Sequence, residues 1–416
     1  MRIVGLRPLA DRMAAAFEGA TPRVVVSGNF ATPWELVGLL GSSMSPCRAF
    51  VLNPQSGWPC RDGFITETPF VGPGARHDPR LDYIPMRLSL VPRLFDSLRP
   101  PDAVLVHTST PRHGKVSLGI EVNILPAAIE RVRRRGGLVI AQLNPRMPYT
   151  RGDAEIDIDQ IDLALEVDAP LPSPVCTPPG DDVATLGEQV ARYATDGGTI
   201  QLGIGQVPDA AATHLRAKRG LGIWSEMVSD GVMELARCGT LDPARPVCAS
   251  FLYGSPDFYR WADDNPRLVM RRTEFVNDPA RIAACPAMLS INTALQVDLF
   301  AQANASHING VTYSGLGGQP DFVEGALHSE GGHAVIALRS WHEKSSSSTI
   351  VPVIQSPVTT FQHSVVITEH GSAEIFGRSQ PAQARLLIER AADPRARSAL
   401  RDAAGDLGLV RPTVDA

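Results

Sequence analysis

Short apolar runs with no polar position at every second residue alternate with amphipathic stretches along this chain. Arg23-Val24-Val25-Val26-Ser27-Gly28 predicts a buried strand ending in a turn, and Thr32-Pro33-Trp34-Glu35 then opens a helix with Pro in its first turn. Ala103 to His107 and Gly137 to Gln142 are again unbroken apolar runs, the pattern of strands covered on both faces. Between them the spacing predicts a helix from Leu125 to Arg135, its basic end (Arg131, Arg133, Arg134, Arg135) followed by the capping pair Gly136-Gly137. A second series follows: a helix from Ala184 to Tyr193, a strand from Thr199 to Leu202, and a helix from Asp209 to Lys218. Strands are then expected at Ser364 to Thr368 and near Ile350 to Pro352, and a helix from Pro381 to Ala391 closes the fold. This βαβ alternation predicts an α/β protein with open, mostly parallel sheets.

The two series are separated by Pro170, Pro172, Pro174, Pro178 and Pro179, a density that neither a helix nor a central strand accepts. With 416 residues in the chain, the break divides it into units at 1–178 and 179–416. A faint internal echo supports two similar halves: His107-Thr108-Ser109 with His113 to Gly119 resembles His307 to Gly315.

Composition narrows the function classes. A net charge of −5 argues against a nucleic-acid binder, and no apolar run approaches the roughly 20 residues that span a bilayer. Met1-Arg2-Ile3-Val4-Gly5 lacks the layout of a signal peptide. Cys47, Cys60, Cys176, Cys238, Cys248 and Cys285 show no CxxC spacing, so they are expected to be buried apolar residues with no metal. The expectation is a cytoplasmic protein.

Four segments could carry chemistry. Gly203-Ile204-Gly205-Gln206-Val207 lies between a strand and a helix, where bare amides meet anions; it reads equally as a tight turn. Glu226, in Gly222 to Gly231, follows at one helix plus one strand, so its carboxylate could stand near that turn as a nucleophile or pair locally. Gly315-Leu316-Gly317-Gly318-Gln319 is costly in conformational entropy, which a cluster of N–H donors aimed at an oxyanion would justify. Lys344 before Ser345 to Ser348 could hold phosphate or could be a solvated loop. In the first half, Asn144 and Met147 follow a strand and His113 lies near the end of another, suiting substrate contacts.

In order and spacing these segments resemble the acetyl-CoA hydrolase/transferase family. The likeness also includes Val106 to Gly119, Asn144 to Pro148, Ser290 to Gln296, Ser348 to Pro352 and Val366 to Gly371. The resemblance implies two similar α/β domains with the active site between them, and Glu226 as a nucleophile that forms a glutamyl-CoA thioester. It implies CoA contacts at Gly203, Ile204, Gly205, Gln206, Val207 and Lys344, and an oxyanion or CoA site at Gly317, Gly318 and Gln319. His113, Asn144 and Met147 would then belong to the substrate pocket. Coenzyme A would be a substrate, with no tightly bound cofactor, the partners an acyl-CoA and a small carboxylic acid, and the assembly a homodimer. The chain departs from the family pattern at Ser225 and Trp224, and in the serine run beside Lys344. An acyl-CoA hydrolase using the same Glu and a non-catalytic CoA-binding protein are the alternatives. A nicotinamide dehydrogenase is disfavoured because Pro208 stands where a third glycine belongs.

Overall fold

A computed structural model of the chain describes residues 1–43, 46–175, 180–359 and 362–410, and the statements that follow concern those residues. Two large sheets organise it. The first has eight parallel strands in the order Arg2–Ile3, Leu163–Glu166, Leu138–Leu143, Ala103–Thr108, Arg23–Val26, Cys47–Val51, Phe64–Thr68, Asp82–Tyr83. The second has six, in the order Gly222–Ile223, Thr199–Gln201, Met288–Asn292, His333–Ala337, Val365–Thr368, Gly371–Glu374; only the last runs antiparallel. Every residue of Ala103–Thr108 and of Val365–Thr368 is buried, which is why these segments read as unbroken apolar runs.

Both sheets wind by the same plan. From Arg23–Val26 the chain steps outward to Cys47–Val51, then returns to place Ala103–Thr108 on the other side; Thr199–Gln201, Gly222–Ile223 and Met288–Asn292 repeat the manoeuvre. Each reversal opens a crevice at the strands' carboxyl ends, where open α/β sheets receive ligands. The echo between the halves is also real in three dimensions. His113-Gly114 has φ of 51° and 76°, and Asn309-Gly310 has φ of 50° and 77°. Each pair turns a two-residue hairpin, closed by Arg112 against Lys115 and by Ile308 against Val311.

The halves are locked rather than loosely apposed. One apolar cluster runs from Val25 and Phe50 of the first sheet to Ile200 and Leu289 of the second. Backbone bonds cross as well: Val71 N–H to Ser314 O (2.8 Å), Leu88 N–H to Gly317 O (3.0 Å), Leu252 N–H to Ile120 O (2.8 Å) and Thr273 N–H to Asn123 O (2.9 Å).

The helix expected at Leu125–Arg135 forms over those residues and ends on Gly136 in the left-handed region. Other expectations need correction. The helix placed at Asp209–Lys218 runs from Gln206 to Leu215, because Pro208 falls in its first turn, where a missing N–H costs nothing. The strand expected near Ile350 to Pro352 forms at Ile350–Val351 and pairs with Gln296–Asp298 in a small sheet. The helix after Pro381 does not close the fold: Gln380–Leu386 passes into a π-helical turn at Leu387–Ala391, and Arg397–Asp406 follows, burying Leu400 and Ala404. Cys60 and Cys238 are exposed, against the expectation of burial. Cys176 and the boundary between 178 and 179 lie outside the described residues.

Gly315 tests the lock. A Cβ there would lie 2.4 Å from the Pro69 carbonyl oxygen and 3.0 Å from Phe70 Cα, both backbone atoms. Gly315→Ala should therefore lower unfolding stability by roughly 1–3 kcal/mol, measured by urea titration; an unchanged midpoint would contradict the clamp.

Candidate active site

Glu226 sits in the short link between the strand Gly222–Ile223 and Met227–Val228, and three anchors fix it. Its carbonyl accepts from Ser250 N–H (2.8 Å) and Phe251 N–H (3.0 Å). The neighbouring Ser225 hydroxyl donates to Leu202 O at 2.8 Å, tying the link to the strand that leads into the glycine turn. Trp224 Nε1 donates to Val276 O at 2.8 Å and its ring stacks on Phe275, which holds the one-turn helix Thr273–Val276. At the end of that helix the buried Asn277 donates Nδ2 to Glu226 Oε2 at 3.0 Å.

The glycine loop closes on the same carboxyl. The Gly318 amide lies beside it and favours its charged form, and a Cβ on Gly318 would come within 1.8 Å of Oε2. Only glycine lets the backbone approach this closely. The first half sets the direction of that N–H: Leu88 N–H holds Gly317 O, the other end of the same trans peptide, at 3.0 Å. One residue on, Ser89 donates its hydroxyl to Asp321 Oδ1 (2.8 Å) and its N–H to Oδ2 (3.2 Å), pinning the start of the helix Gln319–His328.

These groups border a cavity of about 330 Å³ between the halves. Gly203, Ile204, Val207, Glu226, Gly317, Gly318 and Gln319 all line it, so the structure gathers seven of the sequence candidates. Gly205 and Gln206 are exposed at its mouth and do not line it. The other candidates stand elsewhere. Lys344 is exposed in a one-turn helix, Glu343–Ser345, away from the cavity wall. His113 is exposed at its hairpin turn. Asn144 spends its amide on structure, with Nδ2 2.8 Å from Ala169 O and Oδ1 accepting Arg146 N–H at 3.0 Å. Met147 is buried against Gly119 and lines a different cavity, of about 360 Å³, beside Arg112 and Arg146. As for metals, Glu369, His370 and Asp393 bring ligand atoms together far from this cavity, but Arg395 already pairs with Asp393 at 2.8 Å.

Sequence reasoning missed Asn29, Asn123, Glu121, Asp321 and Asn277. Glu121 was detectable: an acid in the apolar run Ile120-Glu121-Val122 calls for a reason. Asn277 carried no such signal.

Family models match on both sides of the cavity: the acetyl-CoA hydrolase/transferase N-terminal domain over residues 73–176 and the C-terminal domain over residues 254–404. The chain belongs to the acetyl-CoA hydrolase/transferase family. It is 39% identical over 336 residues to a 4-hydroxybutyrate coenzyme A transferase of Clostridium kluyveri, covering 77% of this chain and 76% of that one. It is 32% identical to a succinyl-CoA:acetate/propanoyl-CoA:succinate CoA transferase of Fasciola hepatica, over 94% of this chain and 86% of that one. RipA from Yersinia pestis has a similar structure, with a TM-score of 0.87 at 26% identity, over 98% of this chain and all of that one.

In this member of the family the cavity concentrates acid. Burial raises Glu226 to about 7, assisted by the charge of Asp321 and opposed by the Asn277 and Gly318 donors. Burial likewise raises Glu121 to about 7, with Glu226 adding to the shift and the Asn123 and Asn29 amides opposing it. Asp321 is raised to about 6, again mainly by burial. Because the folded pKa of Glu226 exceeds its ordinary value of 4.5, the folded state holds the proton more tightly than the unfolded chain. Stability linked to this group is full below about pH 4.5 and is lost as pH rises through about 7. Glu226→Gln removes the ionisation and keeps an acceptor for Asn277. The variant should melt higher than the parent at pH 8, by up to about 3 kcal/mol in stability, with the difference vanishing near pH 4.5. Thermal melts at both values check this.

Proposed function

We propose that the chain is a CoA-transferase in which Glu226 carries the CoA between two acyl groups. The observation that supports this most directly is the carboxyl of Glu226 held against the Gly318 amide at the wall of a cavity between two α/β halves. Attack of the carboxylate on an acyl-CoA carbon breaks the C–S bond and gives an acyl-glutamyl anhydride and CoA thiolate. The thiolate then adds to the glutamyl carbon and expels the acyl group as its carboxylate, leaving a Glu226–CoA thioester. A second carboxylate attacks that thioester and the same two steps run backward, returning Glu226 as carboxylate. No proton is gained or lost over the cycle.

Addition of the thiolate to the glutamyl carbon builds an oxyanion on the Glu226 oxygen, beside the Gly318 amide. Losing one such donor typically costs about 3–4 kcal/mol of barrier. The turn at Gly203 to Val207, at the head of the helix Gln206–Leu215, suits the CoA side of the cavity. Leu52, Phe70, Met86, Phe251 and Phe322 make much of the remaining wall apolar, and the exclusion of water favours transfer over hydrolysis. Among the described residues lining the cavity there is no Lys, Arg or His. A second negative charge on the acyl group would meet the Glu226 carboxylate with no cation to offset it, so the reading favours monocarboxylic acids. Hydrolysis of acyl-CoA by the same Glu226 is the second reading, since the family has acetyl-CoA hydrolases as well as transferases.

Incubation with an acyl-CoA followed by peptide mass spectrometry should find CoA, or its borohydride-reduced trace, on the peptide containing Glu226. Glu226→Gln should abolish the label and lower turnover by roughly 10⁴-fold or more. New acyl-CoA that appears only when acetate or butanoate is supplied, and far less with succinate, supports the transferase reading; CoA release that ignores the acceptor supports the hydrolase. An unlabelled Glu226 with undiminished turnover would end both.

A further inference from the structure

A second cavity opens where loops of the first half meet a helix of the second, and it shares no lining residue with the cavity beside Glu226. Its volume is about 360 Å³, within the range of small-molecule sites. One side is built by the hairpin of Arg112, the loop Pro145 to Pro148 that follows Leu138–Leu143, and the segment from Pro170 that follows Leu163–Glu166. The helix Pro256–Ala262 and Asp263 close the other side.

The walls hold their shape without a ligand. Pro145, Pro148, Pro170 and Pro256 present flat apolar rings on a restricted backbone, and the buried Met147 adds to the apolar surface. Bonds between the halves fix the separation of the two sides. Tyr259 donates its hydroxyl to Pro172 O at 2.7 Å, and Tyr149 N–H donates to Asp263 Oδ1 at 2.7 Å. Asp264 N–H returns to Tyr149 O at 2.8 Å.

The polar lining is mostly cationic. Arg112, Arg146 and Arg260 face a single acid, Asp263. Each guanidinium commits one nitrogen to a carboxylate: Arg112 Nη2 to Asp263 and Arg260 Nη2 to Asp257, both at 3.2 Å, and Arg146 Nε to Asp168. Asp168 and Asp257 do not line the space, and two nitrogens of each arginine are left to donate into it or to solvent. Three guanidinium groups around one space repel one another until an anion enters. A phosphomonoester carries about −1.5 to −2 charge at pH 7 and three strong acceptor oxygens, which suit forked N–H donors arriving from three directions. The cavity beside Glu226 has the opposite character, an acid with no Lys, Arg or His among its described lining residues, so it repels the same group.

We infer that the cavity between Arg112, Arg146 and Arg260 is a second ligand site, for a phosphomonoester that carries a flat ring system, the chemistry of a nucleoside monophosphate. The arginines take the phosphate, and the proline rings with Tyr259 take the face of the base. Because its walls come from both halves, the bound ligand spans their junction. The helix on its far side follows directly from Phe251-Leu252, and Phe251 N–H holds the Glu226 carbonyl. The site stands apart from the transferase reading, and its test needs no turnover.

Calorimetric titration of the full chain with AMP, adenosine, ribose 5-phosphate and inorganic phosphate is the experiment. One AMP should bind per chain, more weakly as salt rises, and each of the other three should bind about tenfold or more weakly still. Arg146→Ser combined with Arg260→Ser should weaken AMP by about tenfold or more. These side chains are 56% and 73% exposed, so the fold should survive their loss, which a melt of the free variant checks. Ser173→Trp puts bulk into the space and leaves every arginine in place, and it too should block AMP. No binding of AMP at about 1 mM, or equal affinity in both variants, would overturn the inference. So would displacement of AMP by an equivalent of CoA, which would move it to the cavity beside Glu226. Ribose 5-phosphate bound as tightly as AMP would overturn the assignment of a flat ring.

Discussion

The peptide joining Gly317 to Gly318 is the contact through which the two halves act on one carboxyl. Its carbonyl is held by Leu88 N–H from the first half, and its N–H meets Glu226 in the second. Because the peptide is planar and trans, fixing one end fixes the other. A side chain on Gly318 would overlap Glu226 Oε2, so the donor reaches its position only through the absence of a Cβ. The apolar cluster that spans the halves, and the crossing bonds at Ser314, Ile120 and Asn123, then serve to hold this small geometry rigid. Preorganised donors of this kind need little reorganisation as charge develops.

The site is assembled against a cost. Glu226, Glu121 and Asp321 are three acids around one cavity, and burial pushes all of them upward. A fold selected for stability alone would place neutral residues here. The local donors explain how the acids are tolerated: Asn277 and Gly318 for Glu226, Asn29 and Asn123 for Glu121, and Ser89 for Asp321. Each acid thus has its own set of N–H or O–H partners; Asp321 also has the Arg87 guanidinium at 3.9 Å, whereas the donors to Glu226 and Glu121 are neutral. A carboxylate held this way keeps its electron pairs available to an incoming carbon, because no cation withdraws them.

The duplicated halves carry different residues at one scaffold position. The same hairpin-to-helix passage is stripped to backbone in the second half and dressed with Glu121 and Asn123 in the first. Backbone amides suit a charge that appears at a fixed place, since they need no rotamer to be chosen. Residues of both passages, Asn123 in the first half and Gly315 to Gln319 in the second, line the same cavity.

The alternation of apolar runs with helical stretches was enough to establish the class of fold, and Leu125–Arg135 could be read to its last residue. These are local properties, governed by burial periodicity and by glycine at a helix end. Glu226 and the glycine loop were also visible, since backbone freedom and an acid in an apolar stretch both leave marks in the sequence. The helix start near Pro208 was misjudged because Pro is accepted in a first turn, and the helix Arg397–Asp406 beyond Ala391 was not anticipated. The partners of Glu226 belong to a different order of information. Asn277 is 51 residues away in the chain and Leu88 lies in the other half, and no periodicity relates them. Nor could composition tell that Asn144 would be absorbed into structure while Asn29 and Asn123 would face the cavity. Which side chains share a space is decided only when distant strands are laid side by side, because that pairing depends on long-range packing, which local sequence does not encode.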